Sequence, residues 1–159
     1  MFDYLIKNAT LVDGLGGAPK AGDLAIKDGV IAEIGAISGQ AKETINAEGA
    51  YAAPGWVDVH THYDGQVSWD DVMDPSFSHG VTSVVMGNCG VGFAPCPPGG
   101  EQRMIELMEG VEDIPGTALY EGIEWGRWET FPEYIDYLGT RAYTLDIGTQ
   151  VPHSAVRNY

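Results

Sequence analysis

Three side chains carry the clearest chemical signal. His60-Thr61-His62 sets two imidazoles two positions apart. On an extended strand such residues face the same side, so both rings converge on one spot while Thr61 points away. Cys89 lies in Met86-Gly87-Asn88-Cys89-Gly90, directly after the apolar run Thr82-Ser83-Val84-Val85-Met86. Its neighbouring glycines let the backbone turn sharply at a strand end. Two imidazoles and a thiolate suit a borderline-soft divalent ion, zinc foremost, as one or two ions, with other divalent metals open. A bare His-x-His equally describes two solvent-facing loop histidines, and most free cysteines are small buried hydrophobes. The setting tips the balance toward a metal: Pro54-Gly55-Trp56-Val57-Asp58-Val59 leads into the pair and Tyr63-Asp64 follows it.

Other polar and aromatic residues have weaker claims. Asp58 and Asp64 share the parity of the two histidines if the strand persists. Asp58 is expected to orient an imidazole from behind, while Asp64 either does the same or caps the next segment. His79 precedes Gly80 at an expected helix end and is read as structural, a cation meeting the negative end of the dipole. His153, in Gln150-Val151-Pro152-His153-Ser154, is expected on a loop, either as a substrate-side group or as a turn histidine. Arg157 offers a planar fork to a substrate carboxylate. Cys96, in Ala94-Pro95-Cys96-Pro97-Pro98, is expected to be incidental. Trp69, Tyr120, Trp125 and Trp128 either wall an apolar pocket or pack a long insertion, and packing is the plainer account.

The elements that must position these groups change character near residue 54. Residues 4–6 and 10–12 read as short strands broken at Asn8-Ala9. Residues 23–27 and 30–34 flank Asp28-Gly29, a strong two-residue hairpin signal. With a strand near 43–46 they are expected to make a small antiparallel sheet. From Trp56 onward, apolar runs at 56–60, 82–86 and 143–147 alternate with helical patterns at 101–109 and 131–138. Pro75 breaks any helix in 67–78. That alternation argues a parallel sheet with crossover helices. The domains expected are residues 1–53, a β subdomain, and residues 54–159, an α/β unit. About 105 residues follow Pro54, against roughly 250 in a complete (β/α)₈ barrel. The chain is therefore expected to be the truncated front of a longer enzyme.

Acidic residues outnumber basic ones by 23 to 8, a formal charge of −15 in 159 residues. Such a chain is repelled by phosphate backbones and anionic lipid surfaces, so neither nucleic acid nor membrane is an expected partner. Residues 101–129 hold eight of the acidic groups and read as a solvated face. Met1-Phe2-Asp3-Tyr4 has no basic or apolar leader pattern, and two cysteines are too few for a disulfide scaffold. A cytoplasmic, reduced protein is expected.

The stretches Pro54–Asp64 and Gly80–Gly90, with Met104-Ile105-Glu106-Leu107-Met108-Glu109-Gly110-Val111-Glu112 and Phe131-Pro132-Glu133-Tyr134, resemble the amidohydrolase superfamily, in its N-acyl-D-amino-acid deacylase (D-aminoacylase) branch. His-x-His at a first barrel strand marks the superfamily, and Gly87-Asn88-Cys89-Gly90 is more specific to the branch. The resemblance implies a metal-dependent TIM-like barrel preceded by part of a β-sandwich, and a small N-acylated substrate. It implies that His60, His62 and Cys89 hold zinc, the cysteine replacing a carboxylated lysine of relatives. No lysine occurs after Lys42. It further implies two more histidines and a general-base aspartate on later strands, beyond Tyr159. A hydantoinase-like cyclic amidase and a non-catalytic, metal-binding fragment are the competing expectations.

Overall fold

The computed structural model describes residues 1–112 and 114–159, so Asp113, counted above in the acidic face, lies outside the described residues. The chain divides into two compact units, Met1–Pro54 and Gly55–Tyr159.

In the first unit, β1 (Phe2–Leu11), β2 (Lys20–Lys27), β3 (Val30–Gly35), β4 (Ala41–Asn46) and β5 (Tyr51–Ala52) make one sheet in the order β3-β2-β1-β4, with β5 also on β1. The expected antiparallel sheet is corrected here to a mixed one, because β4 and β5 both return parallel to β1. The expected break at Asn8-Ala9 is a bulge within one strand: the register slips between Ile6 and Ala9, and Asn8 takes the extra residue at φ 57°. Asp28 (φ 52°) and Gly29 (φ 77°) turn the β2–β3 hairpin. The buried core cluster of this unit is Leu5, Ala25 and Ile37, and Ala9 is buried as well.

The second unit carries β6 (Trp56–Asp58), β7 (Val81–Met86) and β8 (Asp146–Thr149), a parallel sheet in that order. Between β6 and β7 the chain makes only short 3₁₀ turns at Gln66–Ser68 and Phe77–His79. Gly80, left-handed at φ 84°, ends the second turn. Between β7 and β8 lie α1 (Glu101–Glu112), α2 (Gly116–Gly122) and α3 (Phe131–Leu138), and α4 (His153–Asn158) follows β8. Helix α3 starts with a reciprocal cap, Thr130 accepting from the Glu133 amide and Glu133 accepting from the Thr130 amide. The core gathers Val84 and Met86 of β7, Phe93, Met104 and Met108 of α1, Leu119 of α2, and Tyr134 and Leu138 of α3.

The third strand begins later than the expected 143–147. Tyr143 donates to the Val67 carbonyl at 2.9 Å and the Thr144 amide to the Asp71 carbonyl at 3.1 Å, so this stretch is bonded to the 67–72 loop. Pairing with β7 starts only at Asp146 opposite Ser83. Helices α2 and α4 have no expected counterpart: they have seven and six residues, too short for a visible apolar period. No helix among the described residues is long and apolar enough to cross a membrane.

Candidate metal centre

His60 and His62 stand just past the end of β6. The strand-like course continues to Thr61, whose amide and hydroxyl both reach the Val85 carbonyl, at 3.0 and 2.9 Å. Thr61 is therefore buried toward β7, and alternation turns both flanking imidazoles to the other side. Their rings lie 5.5 Å apart, edge to face.

Cys89 reaches the same place from the end of β7. Gly87 adopts φ 81°, and a Cβ there would stand 2.4 Å from the Gln150 carbonyl oxygen, so only glycine fits. Cys89 itself is left-handed at φ 56°, ψ 12°. For a residue with a Cβ that conformation costs on the order of 1–3 kcal/mol and persists only where surrounding contacts dictate it. Its effect here is to bring Sγ within 3.4 Å of His60 Nε2.

Ligand atoms of His60, His62 and Cys89 all lie within 4.8 Å of one another. A tetrahedral ion with Zn–S near 2.3 Å and Zn–N near 2.0–2.1 Å separates sulfur from nitrogen by about 3.5 Å. The 3.4 Å between Cys89 Sγ and His60 Nε2 matches that spacing, and the donor types of the whole set, within 4.8 Å, suit zinc.

Of the two aspartates expected behind the imidazoles, Asp64 is the one that faces a ring. Asp58 Oδ1 accepts the backbone N–H of His60 at 3.2 Å, which steadies the chain rather than an imidazole. Asp64, 3% exposed, lies with Oδ2 3.7 Å from His62 Nδ1 while Oδ1 accepts the Gly87 amide at 2.8 Å. One buried carboxylate thus connects a histidine of the cluster to the turn that carries the cysteine.

His153 is not on a loop: it is the first residue of α4, with Pro152 at the N-cap position before it. A Cβ on Gly90 would lie 3.2 Å from His153 Cβ, so this histidine packs beside the Cys89 turn. Arg157 is exposed in the last turn of α4. His79 is structural, its Nδ1 2.7 Å from the Pro75 carbonyl; a carbonyl only accepts, so this nitrogen carries the proton. Cys96 is buried, and burial pushes its thiol up to about 11. Trp128 packs on Tyr134 and Tyr137 with its indole N–H on the Phe93 carbonyl at 2.9 Å, and Trp125 meets Phe93 edge-on. These two are anchors of the insertion. Tyr120 is exposed. Trp69 leans over Gly65 and Gly122. The buried Asn88, unremarked in the sequence beyond its place in the motif, proves central to the turn.

A parallel-stranded α/β unit with imidazole and thiolate donors gathered at its strand ends has the outline of a metal-dependent hydrolase. The profile of the amidohydrolase family matches residues 43–159, and the chain belongs to that family. It is 44% identical over 156 residues to the N-acyl-D-aspartate deacylase of Alcaligenes xylosoxydans xylosoxydans, covering 98% of this chain and 29% of the relative. The crystal structure of a D-aminoacylase superposes with a TM-score of 0.78 at 29% identity, over 99% of this chain and 31% of that one. The N-acyl-D-glutamate deacylase of Bordetella bronchiseptica, solved with zinc and a phosphonate inhibitor, gives 0.70 at 30% identity, over 98% and 30%. The chain spans 26–30% of the length of the full-coverage curated relatives.

Proposed function

We propose that this chain provides the first ligands of a zinc centre in an N-acyl-D-amino-acid deacylase, which hydrolyses the C–N bond of a small N-acylated D-amino acid. The observation that carries the reading is the convergence of His60, His62 and Cys89 within 4.8 Å from the ends of two parallel strands. The likeness to the N-acyl-D-aspartate deacylase extends it to an acidic D-amino acid. In this reading β6, β7 and β8 open a (β/α)₈ barrel, and residues 1–53 are part of a β-sandwich.

A divalent ion held there supplies Lewis acidity toward the amide carbonyl and lowers the pKa of the attacking water. His60 and His62 would offer imidazole nitrogens from one strand end, and Cys89 its sulfur, to hold that ion. Asp64 holds the His62 ring and the Cys89 turn in mutual register. His153, beside that turn, is assigned to the substrate side, and Arg157 to the substrate carboxylate. The general base is assigned to an aspartate on a later strand. A cysteine beside His60, where a lysine-bridged cyclic amidase would not need one, favours the deacylase reading over that class.

The test pairs metal analysis with hydrolysis, using the complete product of the gene that encodes this chain. We expect bound zinc and D-selective release of aspartate from N-acetyl-D-aspartate. His60→Ala and Cys89→Ser should each lower zinc affinity by more than the ~10–100-fold typical of outer-sphere partners. Undiminished zinc in both variants, or hydrolysis of a hydantoin in place of the acyl amino acid, would refute the reading.

A further inference from the structure

We infer that Asn88 is a positioning residue for this centre: one buried amide ties together the ends of β6, β7 and β8 and holds Cys89 in the conformation that turns its sulfur to His60. The inference rests on the metal reading above and deepens it.

The contacts of Asn88 reach all three strands. Its Nδ2 donates to the Thr61 carbonyl at 3.3 Å and to the Val85 carbonyl at 2.8 Å. Its Oδ1 accepts from Gln150 Nε2 at 2.8 Å. The amide orientation is determined, since a flipped Asn88 would set its oxygen against two carbonyl oxygens. Thr61 lies between the two histidines, so a bond to its carbonyl fixes the backbone from which both imidazoles project. Val85 precedes the turn, and its carbonyl also receives the Thr61 amide and hydroxyl. Gln150 follows β8, and its own amide donates to the Met86 carbonyl at 2.9 Å.

Cys89 is the next residue along and the strained one, at φ 56°. A left-handed cysteine left to itself relaxes toward φ < 0, which would carry Sγ away from His60. Asn88 opposes this by clamping the chain immediately before it, while Gly87 clears the space against Gln150. The His-x-His segment and the cysteine come from different strands, and this amide is bonded to both strand ends.

The test uses the full chain loaded with Co²⁺, whose thiolate-to-cobalt charge-transfer band reports the Cys89–metal bond independently of turnover. We expect the band in the unaltered chain and its loss in Cys89→Ser. Asn88→Asp, equal in size but aiming oxygen at the carbonyls, and Asn88→Ala should weaken the band and lower cobalt affinity by ~10–100-fold. Leu138→Ala, a core truncation in α3, serves as a control that lowers the melting temperature and keeps the band. Should both Asn88 variants fail to fold, the exposed Gln150→Ala removes one of the three bonds and should give a smaller loss of the same kind. A full-strength band and unchanged affinity in every folded Asn88 and Gln150 variant would overturn the positioning role. A Cys89→Ser spectrum identical to that of the unaltered chain would overturn the metal reading, and this inference with it.

Discussion

The two cysteines are chemically opposite. Cys89 is exposed, at the mouth of the cluster, whereas Cys96 is buried with its thiol pushed up to about 11, mainly by burial and then by the nearby Glu101 carboxylate. At pH 8 only about a thousandth of such a thiol is thiolate, the reactive form. Iodoacetamide applied to the native chain at pH 8 should therefore modify Cys89 alone, and saturating zinc should protect it. Peptide mass mapping checks this, and modification of Cys96 at a comparable rate would contradict the burial assigned to it. The left-handed backbone at Cys89 belongs to this scale as well, a local cost retained where the sulfur must face an imidazole.

Helix α3 shows how a short element can be secured at one end. The Glu133 carboxylate accepts from the Thr130 amide at 2.8 Å, the Glu129 amide at 3.0 Å and the Thr130 hydroxyl at 2.9 Å. These bonds, led by the Thr130 amide, hold its pKa below the ordinary value of 4.5. The cap is thus fully formed above pH 4.5 and is lost as pH falls through the lower, folded-state value. Thr130→Ala should destabilise the second unit by ~1 kcal/mol. Glu133→Gln should flatten the acid limb of the stability curve, as followed by thermal melts between pH 3 and 7. An unaltered acid limb in Glu133→Gln would show that the carboxylate bonds do not form in solution. Strand β8 teaches a complementary lesson: Tyr143 and Thr144 have strand-forming side chains, yet bonds to the 67–72 loop take them out of the sheet.

At the scale of the whole molecule, the proposed hydrolysis needs a general base beside the metal donors. Among the described residues, the grouped donors are His60, His62 and Cys89, and Asp64 is turned toward the Gly87 amide. General acid–base assistance is worth ~10²–10⁴-fold. The 159-residue chain by itself, loaded with zinc, should therefore turn over N-acetyl-D-aspartate at least ~10²-fold more slowly than an intact deacylase. Parallel assays with a full-length N-acyl-D-aspartate deacylase check this, and comparable rates lost on His60→Ala would show that the chain carries its own base.

The sequence by itself determined the features that depend on local pattern. The parity of His60 and His62, the Asp28-Gly29 hairpin, the Gly80 helix stop and the α1 and α3 segments all follow from spacing or from a residue's backbone preference. The convergence of Cys89 with the histidines was legible as a motif, since both follow apolar strands of one sheet. Tertiary structure decided whatever depends on partners distant in the chain. It made β4 parallel to β1, moved the start of β8 to Asp146, and put His153 at a helix entry. It gave Asp64 the imidazole-facing position that parity alone suggested equally for Asp58. It also assigned Asn88 its three bonds, to Thr61, Val85 and Gln150. The physical reason is common to these cases: a backbone or amide group bonds whichever partner packing brings within 3 Å or so, and sequence spacing does not encode that partner.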